Sequence, residues 1–169
     1  IYQITQRLEQ DRRDFGGLEF LHVFDWGYQG RYGRLYGRTG DYDTGPYLPG
    51  GWQGFRAAMA QVQQAGIPVG FYIEGYLLAA KGKLGQAHGK DWQSIRRDGK
   101  RAWWPGNVEM SICAGVKEWR EVQASTYETK VKELDVDGMY IDQFGFANAG
   151  KDCWSDQHGH PVPLSLIHI

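Results

Sequence analysis

The sequence predicts an α/β fold, part of a TIM (β/α)8 barrel comprising roughly its second to fourth strands with their helices. Three observations carry this. Three short apolar runs are each followed at once by an acid: Leu18 to Phe24 by Asp25, Ile67 to Ile73 by Glu74, and Asp137 to Ile141 by Asp142. Helical patterns separate the runs. The connections are lopsided, a few residues from helix to strand but long segments from strand to helix. If the runs are parallel strands, all three acids emerge at one end of one sheet, where barrels and open α/β sheets place their chemistry.

In chain order, Ile1, Ile4 and Leu8 mark a helix that stops at Gly16-Gly17. The first strand is expected over 18–24. The segment Trp26 to Gly51 leaves it as a long loop. Trp52, Phe55, Met59 and Val62 recur at three- and four-residue steps and predict a helix over 52–65. The second strand, 67–73, starts after the Gly66 turn and has Pro68 at its entrance, where a strand tolerates proline. Gly75 to Ala114 reads as another long connection, with Lys81, Lys83 and His88 as solvated loop. Val116, Trp119, Val122 and Leu134 predict a helix over 115–134, and Asp137-Gly138 opens the third strand. Alternating strands and helices imply right-handed crossovers and a parallel sheet. A doubly wound sheet is the alternative. No Gly-x-Gly-x-x-Gly follows the first strand and no Walker-type lysine loop occurs, which argues against a nucleotide site.

Composition narrows the function classes. A formal charge of −1 over 169 residues gives no basic field for nucleic acid and no membrane-binding patch. Aromatics make up 14% of the chain, and many, such as Trp26, Tyr28, Tyr76 and Trp104, fall in the long loops. There they either stack on sugar rings or anchor the loops. Cys113 and Cys153 do not make a disulfide framework. The first residue is Ile1, inside a helical pattern, and the tail Leu164 to Ile169 resembles a translated sequencing adaptor or is an ordinary apolar tail. A single domain is therefore expected over 1–163, cut at both ends, with 164–169 set aside. The compartment stays open.

The motif Val136 to Gly145, VDGMYIDQFG, resembles the fourth-strand motif of retaining α-glycosidases of the α-glucosidase and α-galactosidase type. Lys117-Glu118-Trp119 is similar to their preceding helix. The chain is more similar still to an uncharacterised bacterial family of glycoside-hydrolase-like barrels. The matching residues are Cys113, Gly115 and Trp119, then Asp137 to Asp142, then Cys153 and His158-Gly159-His160-Pro161. The likeness runs from about Gly50 to Pro163. It implies an oligo- or polysaccharide substrate, no cofactor, and Asp142 as nucleophile, with Tyr140 beside it on the same strand. A retaining glycosidase needs a second carboxyl group about 5 Å away to protonate the leaving oxygen. In the resembling enzymes it comes from a later strand, so it is expected outside this chain. Without it the chain alone should be inactive, and a carbohydrate-binding barrel that has lost the acid is the second reading.

Other candidates are weighed beside Asp142, which could instead cap a helix. The resemblance gives Asp25 and Trp26 roles in holding sugar hydroxyls and stacking the ring. Glu74 is a hydroxyl ligand, a second acid, or the partner of an arginine such as Arg31 or Arg34. His158 and His160 are expected on a sugar-facing loop. With Cys153 they have metal-ligand chemistry, but the pattern is not a standard finger and lacks a fourth ligand, so no metal is assigned. Asp41 and Asp43 read as turn formers.

Overall fold

The computed structural model describes residues 4–24, 40–42, 49–104, 106, 108–143 and 152–164. Helix α1 (Ile4–Phe15) leads into β1 (Leu21–Val23), then α2 (Gly51–Gln64) and β2 (Val69–Glu74). After these come β3 (Leu77–Ala79), α3 (Lys83–Trp92), β4 (Glu109–Ser111), α4 (Lys117–Leu134) and β5 (Gly138–Asp142). Strands β1, β2 and β5 form one parallel sheet in that order. The three expected strands are thus adjacent, parallel and in the expected sequence. Their register sets Val23 beside Phe71 and Glu74 beside Asp142.

Period-two alternation gives the sheet two different faces. Val69, Phe71 and Ile73 have no exposed surface. They pack with Phe55, Met59 and Val62 of α2, and Leu134 closes the same core from the end of α4. The other face carries Tyr72, Glu74, Tyr140 and Asp142, the residues that alternate with this core. Helix α4 ends where Asp135 takes a left-handed conformation, with φ of 49°. Gln63 of α2 reaches across to the carbonyl of Asp135.

The segment after β2 departs from expectation. The described residues between 75 and 114 form a folded subdomain rather than an open loop. Strands β3 and β4 pair antiparallel, with Leu78 beside Met110, and α3 packs on them. Lys83 and His88 lie in α3, and the His88 ring stacks on Trp92 at 4.5 Å. Asp41 does more than form a turn. Its two carboxylate oxygens accept the free backbone N–H groups of Lys83 and Leu84 at 2.7 and 3.0 Å, capping α3 from another loop. Asp43 lies outside the described residues.

Glycines make this subdomain compact. A Cβ on Gly85 would stand 2.0 Å from the Ala79 carbonyl oxygen, and one on Gly89 would stand 2.0 Å from the Met110 methyl. Backbone cannot yield as a flexible side chain can. Gly85→Ala should therefore cost about 1–3 kcal/mol by overpacking. The exposed helical change Ser125→Ala should stay within about 0.5 kcal/mol. Urea unfolding of both variants checks this, and equal midpoints would refute the close-packing argument.

A second core holds Leu78, Trp92, Met110, Ile112, Cys113, Val116, Trp119 and Cys153. The chain after β5 returns to it. Cys153 and Leu164 exchange backbone hydrogen bonds of 2.7 and 2.9 Å, and the Trp154 N–H donates to the Ile95 carbonyl at 2.8 Å. Leu164, the first residue of the tail set aside from the sequence, is therefore part of this pairing. Residues 165–169 lie outside the described ones. No helix among the described residues is long and apolar enough to cross a membrane.

Candidate functional site

The last residues of β2 and β5 are Glu74 and Asp142, and the register makes them neighbours. Both strands run the same way, so both acids leave the carboxyl end of the sheet. Tyr72 stands two residues before Glu74, and Tyr140 two before Asp142, so all four side chains share one face. The Tyr72 hydroxyl lies 2.8 Å from Glu74 Oε2 and 2.9 Å from Asp142 Oδ2. Tyr140 donates to the other Asp142 oxygen at 3.3 Å. The two tyrosine rings stack at 5.9 Å, and Phe24 packs on Tyr72 at 4.2 Å. His22 meets Tyr140 edge-on at 5.6 Å. An aromatic floor thus leads across β1, β2 and β5 to the two acids.

Glu74 is nearly enclosed, at 3% exposed, whereas Asp142 is half-buried. Several groups fix the backbone at the end of β2. Gln123 of α4 donates to the carbonyls of Glu74 and Gly75 at 3.3 and 3.4 Å. Tyr42 donates to the Glu74 carbonyl, and the Gly75 N–H donates both to the Asp142 carbonyl at 3.0 Å and to Glu74 Oε1 at 3.1 Å. Burial lifts the Glu74 carboxyl to about 7, and the charge of Asp142 adds to the rise, while the Tyr72 hydrogen bond opposes it. Burial and the Glu74 charge also push Tyr72 far above the ordinary tyrosine range.

A phenol carries one proton and can donate to only one acceptor. Two short contacts from Tyr72 to two carboxyl groups therefore fit a shared arrangement. Below about pH 7 Glu74 holds its proton and can donate it to the tyrosine oxygen, which frees the Tyr72 proton for the Asp142 carboxylate. That leaves a half-buried carboxylate held from both oxygens by phenols at the open end of the sheet. Tyr72 was missed as a site residue. Its signal was present, because in a strand the residue two before an end acid shares that acid's face.

The remaining candidates divide. Asp25, Trp26, Arg31 and Arg34 lie outside the described residues. Tyr76 and Trp104 pack together with Leu77 just past β2. His158 and His160 follow β5 in sequence, yet each ring lies against a cysteine sulfur. Cys153 Sγ lies 3.3 Å from His158 Nδ1, and Cys113 Sγ lies 3.2 Å from His160 Nε2. The structure thus places the two histidines on the second core, and it supplies from Cys113 the fourth group that Cys153, His158 and His160 lacked.

Comparisons with known proteins bear on the family and the fold. A family model described as a domain of unknown function, DUF6259, matches residues 2–164. A Bacteroides thetaiotaomicron protein provisionally named a glycoside hydrolase is 28% identical over 111 residues, covering 63% of this chain and 16% of its own length. Among solved structures, a ligand-free α-N-acetylgalactosaminidase from Bifidobacterium bifidum superposes with a TM-score of 0.72 at 17% identity, covering 98% of this chain and 26% of that one. An α-galactosidase from Thermus thermophilus in complex with stachyose gives 0.63 at 17% identity, covering 87% and 30%. The chain thus spans about one sixth of the curated relative it matches. At these identities the structures show the fold: α/β, like glycoside-hydrolase barrels, with only part of the strand set present.

Proposed function

This chain belongs to the DUF6259 family, and from that premise we propose that it carries the nucleophile side of a retaining α-glycosidase active site, with Asp142 attacking the anomeric carbon. The observation that supports this most directly is the Asp142 carboxylate at the carboxyl end of β5, oriented by Tyr72 and Tyr140. Similarity to a protein provisionally named a glycoside hydrolase, and in fold to an α-galactosidase in complex with stachyose, supports the substrate class.

In the first step the Asp142 carboxylate displaces the leaving oxygen and forms a glycosyl ester. In the second, water releases the sugar with net retention. Hydrogen bonds from Tyr72 and Tyr140 hold the carboxylate in one orientation without protonating it. Glu74 is not the proton donor in this reading. A retaining pair flanks the anomeric carbon, one carboxyl on each side of the bond being broken. Glu74 and Asp142 share one hydroxyl, so no sugar fits between them. The proton must come from a carboxyl group facing Asp142 across the substrate, on a strand beyond the described ones. Asp25 and Trp26 are proposed to hold hydroxyls and stack the ring, with Tyr140 lining the approach.

Covalent trapping tests the assignment. A fluorinated aryl α-galactoside, which forms the ester faster than water can cleave it, should inactivate the full-length protein carrying this chain. Peptide mapping should then place the label on Asp142. A label on another carboxylate would overturn the nucleophile assignment. Stoichiometric binding without any turnover would favour a carbohydrate-binding barrel instead.

A further inference from the structure

The side chains of Cys113, Cys153, His158 and His160 converge on one point in the second core. One ligand atom from each lies within 4.8 Å of all the others. We propose that these four residues bind one zinc ion, which staples two loops at the carboxyl end of the sheet.

The donor set has the chemistry of a closed structural site. Two thiolates and two imidazoles are a standard tetrahedral zinc shell, with Zn–S near ~2.3 Å and Zn–N near ~2.0–2.1 Å. Such bonds place ligand atoms roughly 3.5 Å apart, and the two sulfur–nitrogen contacts here are 3.2 and 3.3 Å. Soft sulfur with imidazole selects zinc over magnesium or calcium, which take oxygen ligands. Both cysteines are free thiols with 2% of their surface exposed.

The surroundings are arranged for ligation. His160 Nδ1 lies 2.8 Å from the Pro161 carbonyl, so Nδ1 carries the proton and Nε2, facing Cys113, keeps its lone pair. Metal-bound histidines are oriented in this way. The Gly115 N–H donates to Cys113 Sγ at 3.3 Å, a bond that stabilises a thiolate. Gly115 also makes room for the ligand. A Cβ there would stand 2.3 Å from His160 Cδ2. Gly159 takes a left-handed turn, φ 67°, between the two histidines, a conformation that favours glycine. A surface hollow bordered by Val116, Gln157 and His158 offers an entry path.

The site has a mechanical consequence. Cys113 follows β4, in the segment that leaves β2 after Glu74. Cys153, His158 and His160 follow β5, in the segment that leaves Asp142. One ion would tie together the two connections that emerge beside the two acids. Binding would release the two thiol protons to solvent, with no change in oxidation state.

The test uses the full-length protein carrying this chain, expressed without a polyhistidine tag and with zinc supplied. Elemental analysis should find one zinc per chain from this site. Replacement by cobalt(II) should give a thiolate-to-cobalt charge-transfer band and the strong ligand-field bands of a tetrahedral site. Cys153→Ser and His160→Ala should each lower the content by about one ion, while His88→Ala, on α3, should not change it. Gly115→Ala should weaken zinc binding about 10- to 100-fold. In the wild-type protein, chelation should expose two thiols to a disulfide reagent, a measurement that does not depend on variants folding. Metal-free wild type, a cobalt spectrum without sulfur charge transfer, or a Cys113–Cys153 disulfide found by mass would each overturn the proposal.

Discussion

Asp142→Asn should reduce hydrolysis of an activated aryl α-glycoside by several orders of magnitude while sugar binding persists. The amide keeps the size of the side chain and can still meet Tyr72 and Tyr140, which lie at 2.9 and 3.3 Å from the carboxylate. It lacks the negative charge that attacks the anomeric carbon. A loss in kcat with little change in binding is the signature of an interaction made only in the transition state. Asp142→Gly goes further by opening a space where the carboxylate stood. Added azide should enter it, attack from the same side, and yield a glycosyl azide. Full activity in Asp142→Asn would end the nucleophile assignment. Azide rescue with the product's configuration determined separates a nucleophile from an aspartate that only braces the sheet, because a structural defect gains nothing from a small anion. Tyr72→Phe should act more mildly, by about 10- to 100-fold, since it removes one orienting hydrogen bond and no reacting atom.

The carboxyl end of the sheet was legible because parallel strands write their geometry into the chain. An apolar run closed by an acid reads the same way three times, and the fold sets Glu74 beside Asp142 as that pattern requires. Tyr72 and Tyr140 were legible by the same alternation, although only Tyr140 was drawn out, through the motif around Asp142. The subdomain between β2 and α4 was not legible. Its strands β3 and β4 have three residues each, too few for alternation to show. Helix α3 carries Gly85 and Gly89 at positions where other helices place apolar side chains, because the β3 backbone approaches too closely for a Cβ at Gly85 and the Met110 side chain of β4 fills the space at Gly89. The cysteine–histidine cluster was half legible. Three of its members lie close together in sequence, but Cys113 joins them only because the Cys153–Leu164 pairing folds the chain after β5 back onto the second core. That pairing is tertiary, and no local pattern announces it.

Glu74→Gln should flatten the pH dependence of stability between pH 5 and 7. The wild-type carboxyl is held at about 7 in the folded protein against 4.5 as its ordinary value, first by burial and then by Asp142. Below pH 4.5 the group is neutral in both folded and unfolded chains. Between the two values the folded protein keeps its proton and the unfolded chain has lost it. The folded state then binds more protons, so stability falls as pH rises, and it levels off above the folded value. The fall amounts to about 3 kcal/mol at ~1.36 kcal/mol for each pH unit of displacement. Glutamine is neutral throughout and can donate to the Tyr72 oxygen as the protonated acid does, so the variant should lack this slope and be the more stable form at pH 8. The groups around Glu74 bear on the slope in known directions. Asp142 raises its proton affinity from β5, Tyr72 lowers it, and Tyr42, Tyr76 and Tyr127 stay neutral in this range, their own affinities pushed up. Asp142→Asn should therefore shrink the slope without abolishing it, because burial is the larger cause. Urea unfolding of the wild type and both variants at pH 5, 6, 7 and 8 measures all three slopes. Equal slopes in wild type and Glu74→Gln would show that Glu74 is ionised throughout. The neutral link from Glu74 through Tyr72 to Asp142 would then be wrong, while the azide experiment would still judge Asp142 on its own.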